Sequence, residues 1–374
     1  MEFEEDDELN KKLEEINKQI EQAFKNLSDK IDKKLEKTHN LIIKRIESQH
    51  GLKRKINDIR EIPNIPLRFV KEAYINSIIN PIFFCLANLE IITEFILSEE
   101  KKEILAKLQG QNYFIVNFIY LMKSIRNKSI LNPYSDLMHN YLRNKMGNYY
   151  FNQDPAYMIK YFLSMIENEI NLAQVSEENI FRYIISNNFS LFLKTKTKCN
   201  MCGNLETISQ DKKNVLNLYL RNPDAIYGKD IPLEELQSIF MNVLLKGNQI
   251  LNNPFCIRCG YQTILIPVLS DLKNYLIINL NRELDPNNNM KLLYSTELKI
   301  LDEKNKENNY ELIFALCDIT NNIEWNKSNF KMFFKNFINN KWYRNINAQH
   351  EELNADIKTE ISNYQPNILI YKRM

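Results

Sequence analysis

Two cysteine pairs constrain this chain more than any other feature. Cys199-Asn200-Met201-Cys202-Gly203 and Cys256-Ile257-Arg258-Cys259-Gly260 repeat one pattern, with fifty-three residues between Cys202 and Cys256. A C-x-x-C spacing lets one tight turn aim two sulfurs at one metal, and two such turns complete a tetrahedron. Glycine follows the second cysteine both times. It can take the positive φ that lets backbone N–H groups point at the sulfurs. The chain has only seven glycines, so two at equivalent positions is a signal. Four ligands leave no open coordination position, so the reading is one structural Zn2+ on Cys199, Cys202, Cys256 and Cys259. The alternative is four thiols without metal, or redox pairs; duplication of the whole C-x-x-C-G unit weakens it. The long insert implies that the metal clamps the base or tip of an extended substructure.

With 374 residues, 44% hydrophobic and 26% charged, the rest can bury a core without disulfides. Lys and Arg number 49 against 47 Asp and Glu, so a net charge of +2 gives no electrostatic argument for nucleic acid or a membrane surface. The chain opens with Glu2-Phe3-Glu4-Glu5-Asp6-Asp7-Glu8, the opposite of a basic secretion signal. No apolar run approaches the ~20 residues that span a bilayer. The expectation is an intracellular protein, in cytoplasm or nucleus. From Leu9 to Leu35, apolar residues recur at spacings of three and four (Leu9, Leu13, Ile16, Ile20, Phe24, Leu27, Ile31, Leu35) among charged and amide residues. This predicts a long amphipathic helix with a coiled-coil-like seam. The seam packs either on the protein's own body or on a second copy or partner.

Pro63 and Pro66 mark a boundary. Residues from about Leu67 to Ile185 read as helical, with Met158, Ile159, Phe162, Met165, Ile166 and Ile170 on one face of a segment opening at Asp154. Short apolar and aromatic runs follow: Val215 to Leu220, Tyr275 to Leu280, Leu312 to Leu316, Phe330 to Phe337 and Ile368 to Tyr371. These predict strands, with a loop at Asp285-Pro286-Asn287-Asn288-Asn289. Helices first and strands later indicate an α+β fold.

Two knuckles about fifty residues apart, between a helical half and a strand-rich half, resemble the layout of the ubiquitin-specific proteases. Other segments fall in that family's order. Ala73-Tyr74-Ile75-Asn76-Ser77 resembles its C-Y-x-N-S, and Gln153-Asp154-Pro155-Ala156 resembles its Q-D-A segment. Tyr275 to Arg282 is similar to the strand L-I-I-x-L-x-R. Tyr310-Glu311-Leu312 with Ala315-Leu316 is similar to Y-x-L-x-A-V. Trp342-Tyr343 and Ile368 to Arg373 are similar to the closing W-Y and L-x-Y-x-R. The resemblance covers about Ile65 to Arg373. It implies a papain-like fold shaped as a hand that grips ubiquitin. Its parts would be an amphipathic helix at 1–60, a helical thumb at 61–190, zinc-bearing fingers at 191–265 and an antiparallel, strand-rich palm at 266–374.

The family's chemistry needs a cysteine thiolate at a helix N-terminus, a histidine base and a side chain that orients the histidine. Carried over, the nucleophile position is Ala73, which has no heteroatom. The base position is Asn329, in Ser328-Asn329-Phe330, and an amide cannot accept a proton near neutral pH. The orienting position is Ile346 or Asn347, and the oxyanion-donor position is Arg68. Pro81 falls inside the nucleophile helix and is expected to kink or end it. Cys85 and Cys317 sit in apolar settings. Of the four histidines, His39, His50, His139 and His350, only His350 lies near the cleft in sequence. The expectation is a catalytically inactive relative that acts by binding ubiquitin or another protein. The alternatives are a scaffold subunit that does not bind ubiquitin, and an active deubiquitinase with a relocated triad.

Overall fold

The computed structural model describes residues 76–108, 113–126, 132–147, 154–219, 234–235, 255–281, 292–293, 295–318, 330–346 and 349–374, with five positions before them. The chain forms two units, Met1–Asp58 and Ile59–Met374. In the first, Glu15, Lys18, Gln22, Asn26 and Lys30 are helical and exposed, and Gln22 donates to Asn26 at 3.3 Å. These polar positions share one helix face by their spacing. The Leu/Ile seam itself lies outside the described residues.

The second unit begins with helices: α1 Asn76–Asn88, α2 Glu90–Leu97, α3 Lys101–Leu108, α4 Phe114–Arg126, α5 Asn132–Met146, α6 Pro155–Leu172 and α7 Ile184–Asn188. Asp154 starts α6 by accepting from the Ala156 N–H at 2.9 Å, and Pro155 takes the first helical position, where a missing N–H costs nothing. Helix α1 is apolar on every face. Ile79, Ile82, Phe83, Phe84, Cys85, Leu86 and Ala87 are all buried, as expected for a helix enclosed on all sides. Phe83 stacks on Phe162 of α6 at 4.9 Å, while Phe84 meets Phe334 of the sheet edge-on at 4.7 Å. Pro81 lies within α1 but does not end it: the helix continues to Asn88. Packing on both sides outweighs the loss of one backbone hydrogen bond.

One carboxylate organises this layer. Glu169 of α6 is buried and accepts from the backbone N–H groups of Phe114 and Ile115 at 3.0 and 2.6 Å and from the Tyr141 hydroxyl at 3.2 Å. It thereby caps the N-terminus of α4 from a different helix. Burial, partly offset by these donors, raises its pKa above the usual carboxylate value.

Strands follow: β1 Leu191–Cys199, β2 Leu205–Lys213, β3 Leu216–Tyr219, β4 Glu234–Glu235, β5 Thr263–Ser270, β6 Tyr275–Asn281, β7 Leu292–Leu293, β8 Glu297–Leu301, β9 Glu307–Asp318, β10 Phe330–Lys335, β11 Trp342–Ile346, β12 Gln349–Glu352 and β13 Gln365–Arg373. A short helix, α8 (Ile357–Ser362), precedes β13 and is capped by Asp356. The large sheet runs β12-β11-β10-β9-β13-β6-β3, with β8 also on β9. Its pairings are antiparallel except β3 with β6, which is parallel. Although β3 lies between the knuckles in sequence, it joins this sheet rather than the finger sheet. Along β13 the side chains alternate between two cores. Ile368 and Ile370 enter the one shared with the helices, and Leu369 and Tyr371 enter a second with Leu298, Leu312 and Ile361. Burial on both faces explains why the strand runs read as continuous apolar segments. Among the described residues the finger sheet is three-stranded, β2-β1-β5, and β4 pairs with β7.

Candidate metal centre

The two knuckles have the same backbone. In the first, the Gly203 N–H bonds the Cys199 carbonyl at 3.0 Å and the Cys199 N–H bonds the Asn204 carbonyl at 2.9 Å. In the second, the equivalent bonds, Gly260 to Cys256 and Cys256 to Tyr261, are 2.8 and 2.7 Å. Gly203 and Gly260 hold φ of +69° and +71°, where a side chain would be strained. The turn does not require cysteine. Asn336 to Lys341, joining β10 to β11, repeats it: the Asn340 N–H bonds Asn336 at 2.8 Å, the Asn336 N–H bonds Lys341 at 2.9 Å, and Asn340 has φ +57°. There the Asn336 Oδ1 takes the N–H groups of Ile338 and Asn339, the role that sulfur plays in the knuckles.

The register of β1 with β5 sets Cys199 opposite Thr263, which brings the knuckles together. The sulfurs of Cys199 and Cys259 lie 3.4 Å apart, those of Cys202 and Cys256 3.6 Å, and those of Cys202 and Cys259 3.6 Å; all four fall within 4.8 Å of one another. Tetrahedral thiolates at zinc–sulfur distances would sit roughly 3.8 Å apart, so the set fits a four-coordinate ion. Backbone N–H groups of Cys202 and Met201 lower the Cys199 thiol to about 6. Cys256 is also lowered: burial opposes this, but the N–H groups of Arg258 and Cys259 outweigh it. Cys259 is pushed up to about 12: the Tyr261 N–H lowers it, but the neighbouring sulfurs of Cys199, Cys202 and Cys256, together with burial, outweigh that donor. The backbone N–H groups thus favour thiolate, the form that binds metal, at the first cysteine of each knuckle.

The remaining cysteines are elsewhere. Cys85 lies in the core between helices and sheet, where burial pushes its thiol well above the ordinary value. Cys317 lies in the second core, on β9. Ala73, Arg68, Asn329 and Asn347 are outside the described residues. Ile346 ends β11, and β12 places His350 opposite Asn345.

A cleft of about 390 Å³ opens beside the N-terminus of α6. Asp154, Tyr157 and Lys160 form one wall; Leu193, Asp211 and Lys213 of the finger strands and Asn214 to Asn217 at β3 form the other. Among the described residues, β3 has no strand on its outer side. Asp154 marked this place in the sequence through Gln153-Asp154-Pro155-Ala156; on the opposite wall Val215 to Asn217 read as the start of a strand, and nothing marked them or the finger residues as part of a site. Glu169 was also silent, although a carboxylate three residues after Ile166 interrupts the apolar stripe of α6 and could have drawn notice.

No family model matches the chain, and no curated protein matches it. Solved structures do. The SAGA DUB module of Ubp8, Sgf11, Sus1 and Sgf73 bound to monoubiquitin aligns with TM-score 0.63 at 15% identity, over 80% of this chain and 67% of that one. The same module bound to ubiquitin aldehyde gives 0.62 at 15% identity, over 80% and 68%. The yeast module carrying an Sgf73 mutant gives 0.59 at 15% identity, over 80% and 67%. At such low identity the likeness concerns the fold alone, over four fifths of the chain. The fold of this chain is therefore that of the ubiquitin-specific proteases.

Proposed function

We propose that this chain is a catalytically inactive relative of the ubiquitin-specific proteases that acts by binding, with its fingers held by one structural Zn2+ on Cys199, Cys202, Cys256 and Cys259. The hand is divided as a thumb at 61–190, fingers at 191–265 and a palm at 266–374, with the helix at 1–60 outside it. One chemical observation carries the reading. Ala73 stands at the nucleophile position and Asn329 at the base position, so neither a thiolate nor a proton acceptor is supplied. Burial of Cys85 and Cys317 in two different cores argues against a relocated nucleophile, because buried cysteines are normally inert. Asn347 or Ile346 is left without a histidine to orient, and Arg68 replaces the oxyanion donor.

Ubiquitin is the partner this reading favours, since structures of the same fold hold monoubiquitin and ubiquitin aldehyde. An extended tail would lie in the cleft between α6 and β3. A scaffold role is the second reading. It is favoured by the amphipathic 1–60 segment, which suits self-association or a partner helix, and by the multi-subunit modules that share the fold. Nucleic acid and membrane are not expected partners, as the near-balanced charge offers them no field, and no described helix is long and apolar enough to cross a bilayer. The compartment is intracellular, cytoplasm or nucleus.

The test is release of a fluorophore from the ubiquitin carboxyl terminus, beside binding to immobilised ubiquitin. The wild-type chain should bind and release nothing. Ala73→Cys alone should stay silent, lacking a base. Ala73→Cys with Asn329→His should gain little, because a missing oxyanion donor typically costs about 10²–10³ in rate. Turnover by the wild type that Cys85→Ala or Cys317→Ala abolishes would overturn inactivity. Binding no stronger than to an unrelated protein would leave the scaffold reading.

A further inference from the structure

The four knuckle cysteines are not equivalent. The first of each knuckle, Cys199 and Cys256, is buried, at 1% and 4% exposure, while the second, Cys202 and Cys259, is exposed. Their neighbours at the tip do not shade them: Met201 is 63% exposed and Ile257 84%. The two exposed sulfurs lie 3.6 Å apart and belong to different knuckles.

We propose that Cys202 and Cys259 form a peroxide-sensitive pair that closes into a disulfide between the knuckles and releases the metal. This rests on the zinc reading above. A hydroperoxide reaches the outer sulfurs first, because burial seals the inner ones. Bound to the metal, all four sulfurs are thiolates; one exposed thiolate attacks the peroxide, the O–O bond breaks, hydroxide leaves and the sulfur becomes a sulfenic acid. The second exposed thiolate attacks that sulfur, the S–S bond forms and a second hydroxide leaves. Two thiolates have lost two electrons and one peroxide has gained them. Closing the gap to a bonded sulfur pair takes roughly 1.5 Å, within the give of two exposed turns. A four-donor site that has lost two donors no longer holds its ion. The product joins the knuckles covalently where the metal had joined them, so the tip stays closed in both states.

The choice of partner separates this from the usual chemistry of C-x-x-C. A redox motif of that spacing closes within itself. Here the sulfenic acid forms on an exposed cysteine, and the other exposed cysteine, whose sulfur lies 3.6 Å away on the opposite knuckle, is freer to turn toward it than the inner cysteines packed at 1% and 4% exposure. Cys85 and Cys317, at 2% and 0% exposure, serve as internal controls.

The experiment uses the full chain. Its zinc is quantified, hydrogen peroxide is added with a chromogenic chelator present, and the product is alkylated and mapped by mass spectrometry. The expected result is one zinc released per chain, a Cys202–Cys259 link, Cys85 and Cys317 still reduced, and recovery of bound zinc after dithiothreitol and added metal. A link within one knuckle, a Cys199–Cys259 link, or retention of zinc while Met201 is already converted to sulfoxide overturns the proposal. A chain that carries no zinc as purified but still forms the Cys202–Cys259 link overturns the metal reading and upholds the pairing.

Discussion

Strands β2 and β13 are each nine residues long, yet they are held in place differently. In β2, Leu205 to Lys213, seven of the nine side chains are exposed and the other two are half-buried. In β13, Ile368 to Tyr371 are fully buried, two side chains facing each core. Burial at about 25 cal/mol per Å² can hold β13 without other help. It cannot hold β2, an edge strand of the finger sheet that pairs only with β1 among the described residues and follows directly on the Cys199–Cys202 knuckle. In the zinc-bound form proposed above, the metal takes the place of a core in the fingers, and the two regions should fail under different insults.

The largest expected effect separates them most sharply. Cys256→Ser removes one of four donors, and structural zinc sites are worth on the order of 10 kcal/mol of coupled binding and folding free energy. We expect zinc to be lost and amide exchange to rise across β1, β2 and β5, while β6, β9 and β13 stay protected. Uniform loss of protection would show that the two regions form a single cooperative unit. Phe162→Ala should do the reverse. It removes a ring stacked on Phe83 and Phe114 and should cost about 3–5 kcal/mol of global stability in denaturant unfolding, with zinc content unchanged until the transition.

Glu169 sharpens the comparison within the helical layer. Glu169→Ala leaves two N–H groups of α4 and the Tyr141 hydroxyl without their acceptor and should cost about 1–3 kcal/mol for each buried donor left unsatisfied. Glu169→Gln should cost less. Because the folded state raises this pKa, it binds more protons than the unfolded state just above the ordinary glutamate range. The contribution is complete below that range and fades as pH rises through the folded value, so the wild type's advantage over Glu169→Gln should narrow with rising pH. A widening gap in melting experiments from pH 4 to 8 would reverse the assignment. The smallest effect is at the metal-free turn. Asn336→Ala should cost only about 0.5–2 kcal/mol, since the backbone bonds of that turn remain. An effect as large as that of Cys256→Ser would mean that the side chain, rather than the backbone, makes the turn.

The strands at Tyr275, Leu312, Phe330 and Ile368 were legible because burial on both faces writes an unbroken apolar run into the sequence. The knuckles were legible because coordination needs a particular residue at a particular spacing. Strand β3 was legible as a strand but not as a member of the large sheet, because its pairing with β6 is a contact across some sixty positions. The continuity of α1 through Pro81 also ran against local propensity. It is set by aromatic contacts with α6 and β10, which no window of sequence contains.

By itself the sequence determined the residue chemistry: which four cysteines can hold a metal, and that an alanine at 73 and an asparagine at 329 offer neither a nucleophile nor a base there. It also determined the order of helices and strands, since these depend on local periodicity and on side-chain type. The tertiary structure alone decided which cysteines of the knuckles face solvent, that Cys85 and Cys317 lie in separate cores, and that Glu169 caps a helix more than forty residues away. Exposure and long-range hydrogen bonding depend on which elements pack together. That packing is settled by the sum of many weak contacts over the whole domain, and no short stretch of sequence encodes it.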